Sequence, residues 1–255
     1  MRKNPLLPIY TLYAGLVFAF FMFLYSPLML LPLLFKKEGN RLSFWGFHLW
    51  AQSFRLFTGI WYDVKGLENI NSQESYIIIP NHTSFLDICL LPLITKGAFK
   101  PLSKKEVGKI PVFGWLARVI TVMVDRTSAG SRRNSVMKMR RALKGGTSIM
   151  IFPEGTVNKT ANLLNPFYDG AFRIALETGA ALVPVAIAGA NRLMGAKSLI
   201  MRPGTIRVQV MPPVRVDGLS TADVPALKAQ VHTAMESKLQ ELHDTYFRPQ
   251  AASRV

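Results

Sequence analysis

A histidine and an aspartate five positions apart, His82 and Asp87, lie between two apolar runs in the stretch YIIIPNHTSFLDICLL, Tyr76 to Leu91. An imidazole beside a carboxylate is the pair that general-base chemistry needs. An Asp that accepts from one ring N–H leaves the other ring nitrogen free to take a proton. On one continuous helix, at about 100° per residue, the two side chains would diverge by about 140°. Contact therefore requires His82 in the loop leaving a strand at Ile77–Ile79 and Asp87 in the first turn of the next helix. Pro80 ends that strand, Ser84 reads as the helix N-cap, and Asp87 stands three residues after it. The same spacing also suits a plain capping box, which accounts for Asp87 but leaves His82 and Asn81 unexplained. No G-x-S-x-G follows, and the one cysteine, Cys89, lies inside the apolar helix. A His–Asp pair without a nucleophile of its own points to attack by a substrate hydroxyl, which is direct transfer to an alcohol.

Three further stretches end apolar runs in the same way. IFPEGT, Ile151 to Thr156, offers a carboxylate, a flexible backbone position and a hydroxyl at a turn whose N–H groups suit an anion. VMVDR ends in Asp125-Arg126, and Arg matches a pair of phosphate oxygens. LVPVAI carries Pro184 in mid-strand, which predicts an edge or a bulge. Each alone is a weak signal; four in order at strand ends are a strong one.

The elements that must position these residues alternate. Strands are predicted at WYDVKGLENI, SYIIIP, FKPLSK, ITVMVD, TSIMIFP, ALVPVAIAG and GTIRVQVMPPV. Helices are predicted at FLDICLLPLI, IPVFGWLARV, the basic SRRNSVMKMRRALKGG, DGAFRIALETG and Thr221 to Tyr246. This order predicts an α/β fold, a largely parallel sheet with helices on both faces, over residues 61–255. Sites in such sheets lie beyond the carboxyl ends of the strands.

Residues 1–60 read as an N-terminal membrane-anchoring helical segment. From Leu6 to Phe35 there is no charged residue, enough to cross a hydrocarbon core of about 30 Å. Ser26-Pro27 and Pro32 interrupt it, so it either spans the bilayer or re-enters the same leaflet. The run is too long for the core of a signal peptide. Phe44, Trp45, Phe47, Trp50, Phe54 and Phe57 then predict a helix with a broad aromatic face, and Lys36, Lys37, Arg41 and Arg55 suit anionic headgroups. Cations after the run outnumber those before it, placing the main domain on the cytoplasmic side of an inner membrane.

Composition narrows the partners. A net charge of +16 calls for phosphate-bearing partners. A hydrophobic fraction of 49%, a mean hydropathy of +0.21 and the absence of nucleic-acid motifs favour a membrane over nucleic acid. One cysteine excludes internal disulfides, and the histidines at 48, 82, 232 and 243 are too scattered for a metal cluster. His48 is placed on a helix face, and His232 and His243 in solvent.

Taken together, NHTSFLD, VMVDR, FPEGT and VPVAI resemble the motif series of the glycerolipid acyltransferase superfamily, and within it the bacterial 1-acyl-glycerol-3-phosphate (lysophosphatidic acid) acyltransferases. LSKKEVGKIPVFGW resembles the segment between the first two motifs, and the likeness covers about Tyr62 to Met211. The resemblance implies a general base at His82, oriented by Asp87. It also implies that Arg126, Glu154 and Gly155 form part of the glycerophosphate site; Lys105 and Thr156 are further candidates for substrate binding, and Lys159, two residues after Val157, is a candidate to reach the phosphate. It implies transfer of a fatty acyl group from acyl-CoA or acyl carrier protein to the acceptor hydroxyl, giving phosphatidic acid, with no metal and no cofactor. Where many members carry Arg after E-G-T, this chain has Val157, so another lysolipid acceptor, including an amino-acid-based one, stays open. From other classes, a phosphohydrolase would need more metal ligands, and a non-enzymatic lipid-binding protein would leave the His–Asp pair idle.

Overall fold

The structure, a computed structural model, describes residues 5–32, 36–109, 113–125 and 127–248. Two long helices open the chain, α1 (Leu6–Leu30) and α2 (Lys36–Thr58). There follow β1 (Ile60–Lys65), β2 (Ile77–Pro80), α3 (Leu86–Leu90), β3 (Phe99–Lys104), α4 (Phe113–Ile120), β4 (Val122–Val124), α5 (Ala129–Lys144) and β5 (Ser148–Met150). Then come α6 (Gly170–Thr178), β6 (Leu182–Ala188), α7 (Ala190–Leu193), β7 (Gly204–Val210) and α8 (Val224–Tyr246). The strands form a seven-stranded sheet in the order β1-β7-β6-β2-β5-β3-β4, in which only β6 and β7 pair antiparallel.

The central strand shows why the sheet is covered on both sides. All four residues of β2 are buried, and alternate side chains of a strand point to opposite faces. Ile78 joins a core with α1, α2, α3 and Leu116 of α4. Ile77 and Ile79 join a second core with Met139 and Leu143 of α5, Phe172 of α6 and Leu227, Val231 and Met235 of α8. Full burial of one such side chain contributes about 1.5–3 kcal/mol. The sheet therefore separates two helical layers.

Pro184 does not lie at an edge: β6 runs between β2 and β7. It marks the alternative, a bulge. Val185 pairs with Val210, whereas Leu182 bridges Val214, so the register slips by one residue across 211–213. The missing proline N–H falls where the ladder is interrupted.

Pro27 does not break α1 either. A proline at this position leaves the carbonyl four residues earlier without its helical donor. Here the Ser26 hydroxyl donates to that Phe23 carbonyl at 2.8 Å. Helices α1 and α2 run antiparallel, because Tyr10 and Tyr13 at the start of α1 donate to the Thr58 and Phe57 carbonyls at the end of α2. At the other end Ser43 donates to the Met29 carbonyl, and a Cβ on Gly46 would lie 3.0 Å from the Met29 nitrogen. The close crossing there requires glycine.

The expected aromatic face of α2 divides in two. Trp50 and Phe54 are buried in the core of the sheet, while Trp45 and Phe57 stand exposed with Leu42, Leu49 and Leu56. Helix α1 exposes a far larger apolar surface, from Leu6 through Phe23, and is long and apolar enough to cross a membrane. The side chains of Lys36, Lys37 and Arg41, and residues 33–35 and 110–112, lie outside the described residues.

Candidate active site

Pro80 ends β2 at the carboxyl edge of the sheet, and residues 81–85 form a loop into α3. Asn81 fixes the start of that loop. Wholly buried, its amide donates to the Ile187 carbonyl at 2.9 Å and accepts from the Ile187 N–H at 2.7 Å. Ser84 fixes the far end, donating to the Met194 carbonyl at 2.7 Å. The loop therefore hangs from β6 and α7, which explains an asparagine that the sequence alone left without a role.

His82 and Asp87 meet. His82 Nδ1 lies 2.9 Å from Asp87 Oδ2. The same oxygen accepts from the Thr83 and Ser84 N–H groups at 2.7 and 2.8 Å. Asp87 thus both caps the helix turn and holds the imidazole, so the two readings of the spacing are one structure. The N-cap position itself is Phe85 rather than Ser84, although the Ser84 hydroxyl accepts from Leu86 N–H at 3.2 Å. Asp87 is fully buried, and its Oδ1 has no hydrogen-bond partner. Because a carboxylate only accepts, the proton sits on Nδ1, and the lone pair is left on Nε2.

The FPEGT turn closes over the ring. Phe152 stacks on His82 with centroids 4.0 Å apart and planes at 20°. Glu154 Oε1 accepts from His82 N–H at 2.8 Å, its Oε2 accepts from Asn165 N–H at 2.9 Å, and Asn158 N–H donates to the His82 carbonyl at 2.7 Å. Burial pushes the Glu154 carboxyl above the usual carboxylate range, although both N–H donors and His82 pull the other way. Gly155 makes the turn with φ +71°, a conformation side chains resist. Glu154, expected at the acceptor, instead spends both oxygens on backbone donors.

A cavity of about 290 Å³ opens at His82. Its lining includes His82, Ser103, Lys104, Gly155 and Thr156 together with apolar residues, among them Met22, Phe47 and Trp50 of the two N-terminal helices. Among the predicted site residues, His82, Gly155 and Thr156 line it. Lys105 does not: it is exposed and pairs with Asp125 at 3.4 Å. The Asp125 carboxyl is held below its usual range, mainly by hydrogen bonds from Thr127. Lys159 is exposed and also outside the lining, and Arg126 lies outside the described residues. Lys104 lines the cavity and was missed. It is the last residue of β3, whereas Lys105 opens the short helical turn that follows, so the backbone changes direction between the two.

Among the described residues no group of three or more His, Cys, Asp or Glu converges on a point. Cys89 is buried, and burial pushes its thiol well above the ordinary range. His48 is partly buried within reach of the Pro92 carbonyl, at 3.3 Å. His232 and His243 are half-buried rather than solvated, each against a phenylalanine ring.

Comparison with known proteins gives a consistent picture. A family model described as Acyltransferase matches residues 62–188. The human 1-acyl-sn-glycerol-3-phosphate acyltransferase alpha is 30% identical over 188 residues, 72% of this chain and 65% of that protein. The chloroplastic 1-acyl-sn-glycerol-3-phosphate acyltransferase BAT2 of Brassica napus is 34% identical over 185 residues, 71% of this chain and 53% of that protein. The chain thus spans less than two thirds of the length of these relatives. The crystal structure of the 1-acyl-sn-glycerophosphate (LPA) acyltransferase PlsC from Thermotoga maritima superposes with a TM-score of 0.73 at 22% identity. It covers 94% of this chain and 100% of that one, a likeness of fold.

Proposed function

The chain belongs to the glycerolipid acyltransferase superfamily, and from that premise we propose that it moves a fatty acyl group from a thioester donor to the free hydroxyl of 1-acyl-glycerol-3-phosphate, giving phosphatidic acid. The observation that carries this reading is the His82–Asp87 pair, whose imidazole lines a cavity with a largely apolar wall. The acceptor hydroxyl gives its proton to His82 Nε2 as its oxygen attacks the thioester carbonyl. Asp87 stabilises the imidazolium, and the same proton then goes to the leaving thiolate. General-base assistance of this kind supplies about 10²–10⁴-fold. Holding donor and acceptor together supplies more. Phe152 and Glu154 keep ring and loop aligned, Gly155 and Thr156 border the reacting groups, and Lys104 faces the acceptor phosphate. The thioester acyl chain occupies the apolar part of the cavity. The donor is acyl-CoA or acyl carrier protein, and the mechanism uses neither metal nor redox cofactor.

The same proposal seats α1 and α2 in one leaflet of an inner membrane, with the catalytic domain on the cytoplasmic side. The antiparallel pair returns to the side from which it enters, and α2 packs on the domain through Trp50 and Phe54. An acceptor with a long chain then reaches the cavity without leaving the bilayer.

Val157 in place of an arginine at the cavity supports a second reading, an acceptor with a different headgroup. Mass spectrometry separates the two. Purified protein is given a panel of lysolipids with each thioester donor, and His82→Ala serves as the blank. Formation of phosphatidic acid by the wild type alone supports the first reading. Acylation of another lysolipid only supports the second, and no acylated product at all refutes both.

A further inference from the structure

Helix α5 carries six cations, Arg132, Arg133, Lys138, Arg140, Arg141 and Lys144, and no acidic residue. Ser135, Met139 and Leu143 form its buried side. At about 100° per residue, Arg133, Lys138, Arg140, Arg141 and Lys144 share one arc of about 160° on the opposite side. All five are exposed, and Met137, 43% exposed, stands in the middle of them. From Arg133 to Lys144 the stripe is about 16 Å long. Arg140 approaches Glu177 at 3.6 Å, with both side chains more than 40% exposed, and such a pair offsets little of the charge.

The bilayer does not account for this stripe. α5 packs on the sheet face opposite α1 and α2, so a membrane that receives those helices lies on the far side of the sheet. The stripe instead faces whatever approaches from solution. Its start is also close to the chemistry. α5 follows β4, and β4 pairs with β3, whose end brings Ser103 and Lys104 to the cavity.

We propose that α5 is the docking surface for an acidic protein that carries the acyl group as a thioester. The proposal rests on the acyltransferase reading and selects between its two donors. A row of cations three turns long around an exposed methionine matches an acidic helix, with an apolar contact at the centre and a charged rim. The phosphates of a free nucleotide thioester occupy a fraction of that length and have no use for the methionine. The bonds exchanged are unchanged. The acceptor oxygen forms the ester, the thioester C–S bond breaks, and the acceptor proton passes through His82 to the carrier's thiolate.

The test uses the full chain in neutral phosphatidylcholine vesicles and one acyl chain on two donors, an acidic acyl carrier protein and coenzyme A. Two variants are compared with wild type: Arg133→Glu/Lys138→Glu/Arg141→Glu, and Met137→Asp. The expected result is a KM for the carrier-bound donor raised by at least about tenfold and a weakened dependence on salt, as loss of rim charges predicts. The kinetics with coenzyme A stay unchanged. Unaltered carrier kinetics, or an equal loss with both donors, overturns the proposal. Flotation of the same variants with anionic vesicles is measured in parallel, and variants that lose that binding while keeping carrier kinetics assign the stripe to a lipid surface and also overturn it. A wild type active with coenzyme A but inert with the carrier refutes the docking surface and leaves the acyltransferase reading standing. Inertness with both donors refutes both.

Discussion

Replacing Asp87 by asparagine asks whether its charge or its shape matters to His82. In a hydrolase triad the same change costs about 10⁴-fold, because the amide turns its N–H toward the imidazole and inverts the tautomer. Here that flip is blocked. The oxygen that meets His82 Nδ1 also accepts from the Thr83 and Ser84 N–H groups. An asparagine must keep its oxygen there, and its NH₂ falls where the unpartnered Oδ1 now lies. The imidazole tautomer survives and only the negative charge is lost. A hydrogen bond to a charged group is worth about 1.5–3 kcal/mol. At about 1.4 kcal/mol per decade, Asp87→Asn should lower kcat by about 10–150-fold. Asp87→Ala should be worse in both respects, since it also leaves buried N–H groups unpaired at about 1–3 kcal/mol each. The assay is single-turnover acyl transfer with bound lysolipid, alongside urea unfolding of each variant. A loss near 10⁴-fold in a stable Asp87→Asn protein would show that the flip occurs and refute this geometry. A destabilised Asp87→Asn protein with full activity would show that the carboxylate serves only as a cap.

The ring stack on His82 should hold its orientation, so Phe152→Leu should lower kcat by about 2–12-fold at unchanged KM, an aromatic pair being worth about 0.5–1.5 kcal/mol. Phe152→Tyr should keep most of the rate; equal loss in both variants would deny the stack a role. Because the Glu154 carboxyl is raised in the fold, its contribution is fully present below the unfolded value near 4.3 and is lost as pH rises through the folded one. The melting temperature of Glu154→Gln relative to wild type should therefore climb between pH 4 and pH 8, and a flat difference would contradict the raised value. Native protein should keep its activity after thiol alkylation, since Cys89 is buried and its thiol raised, and after EDTA; loss to alkylation without unfolding would mean that the thiol is reachable.

The sheet was legible because its strands are either fully buried or bounded by turn residues, and local pattern is enough to find those. Pro184 could be read as edge or bulge because both relieve the same missing donor; only the pairing of β6 with both neighbours decides. His82 and Asp87 were legible because their contact is local, within one loop and one helical turn. The partners of Asn81, Ser84 and Glu154 were not, since Ile187, Met194 and His82 respectively lie far off in sequence. Lys105 and Lys104 differ by one position, and no sequence pattern in a single chain says which faces a cavity. The aromatic residues of α2 were read as one face because Trp50 and Trp45 are chemically alike; the packing of α1 and the sheet separates them.

The clasp on the His82 loop also sets an order of events during synthesis. Its ties run to Glu154, 72 residues later, to Ile187, 106 residues later, and to Met194, 110 residues later. A ribosome adds about 5–20 residues per second, so the loop waits about 5–20 s for its last supports to emerge. Through that interval α1 and α2 are already made, and their apolar surface is available to a bilayer. If α1 and α2 seat in a bilayer as proposed, they do so before the chain owns a working base, and a product cut short before β6 would then be anchored and inert.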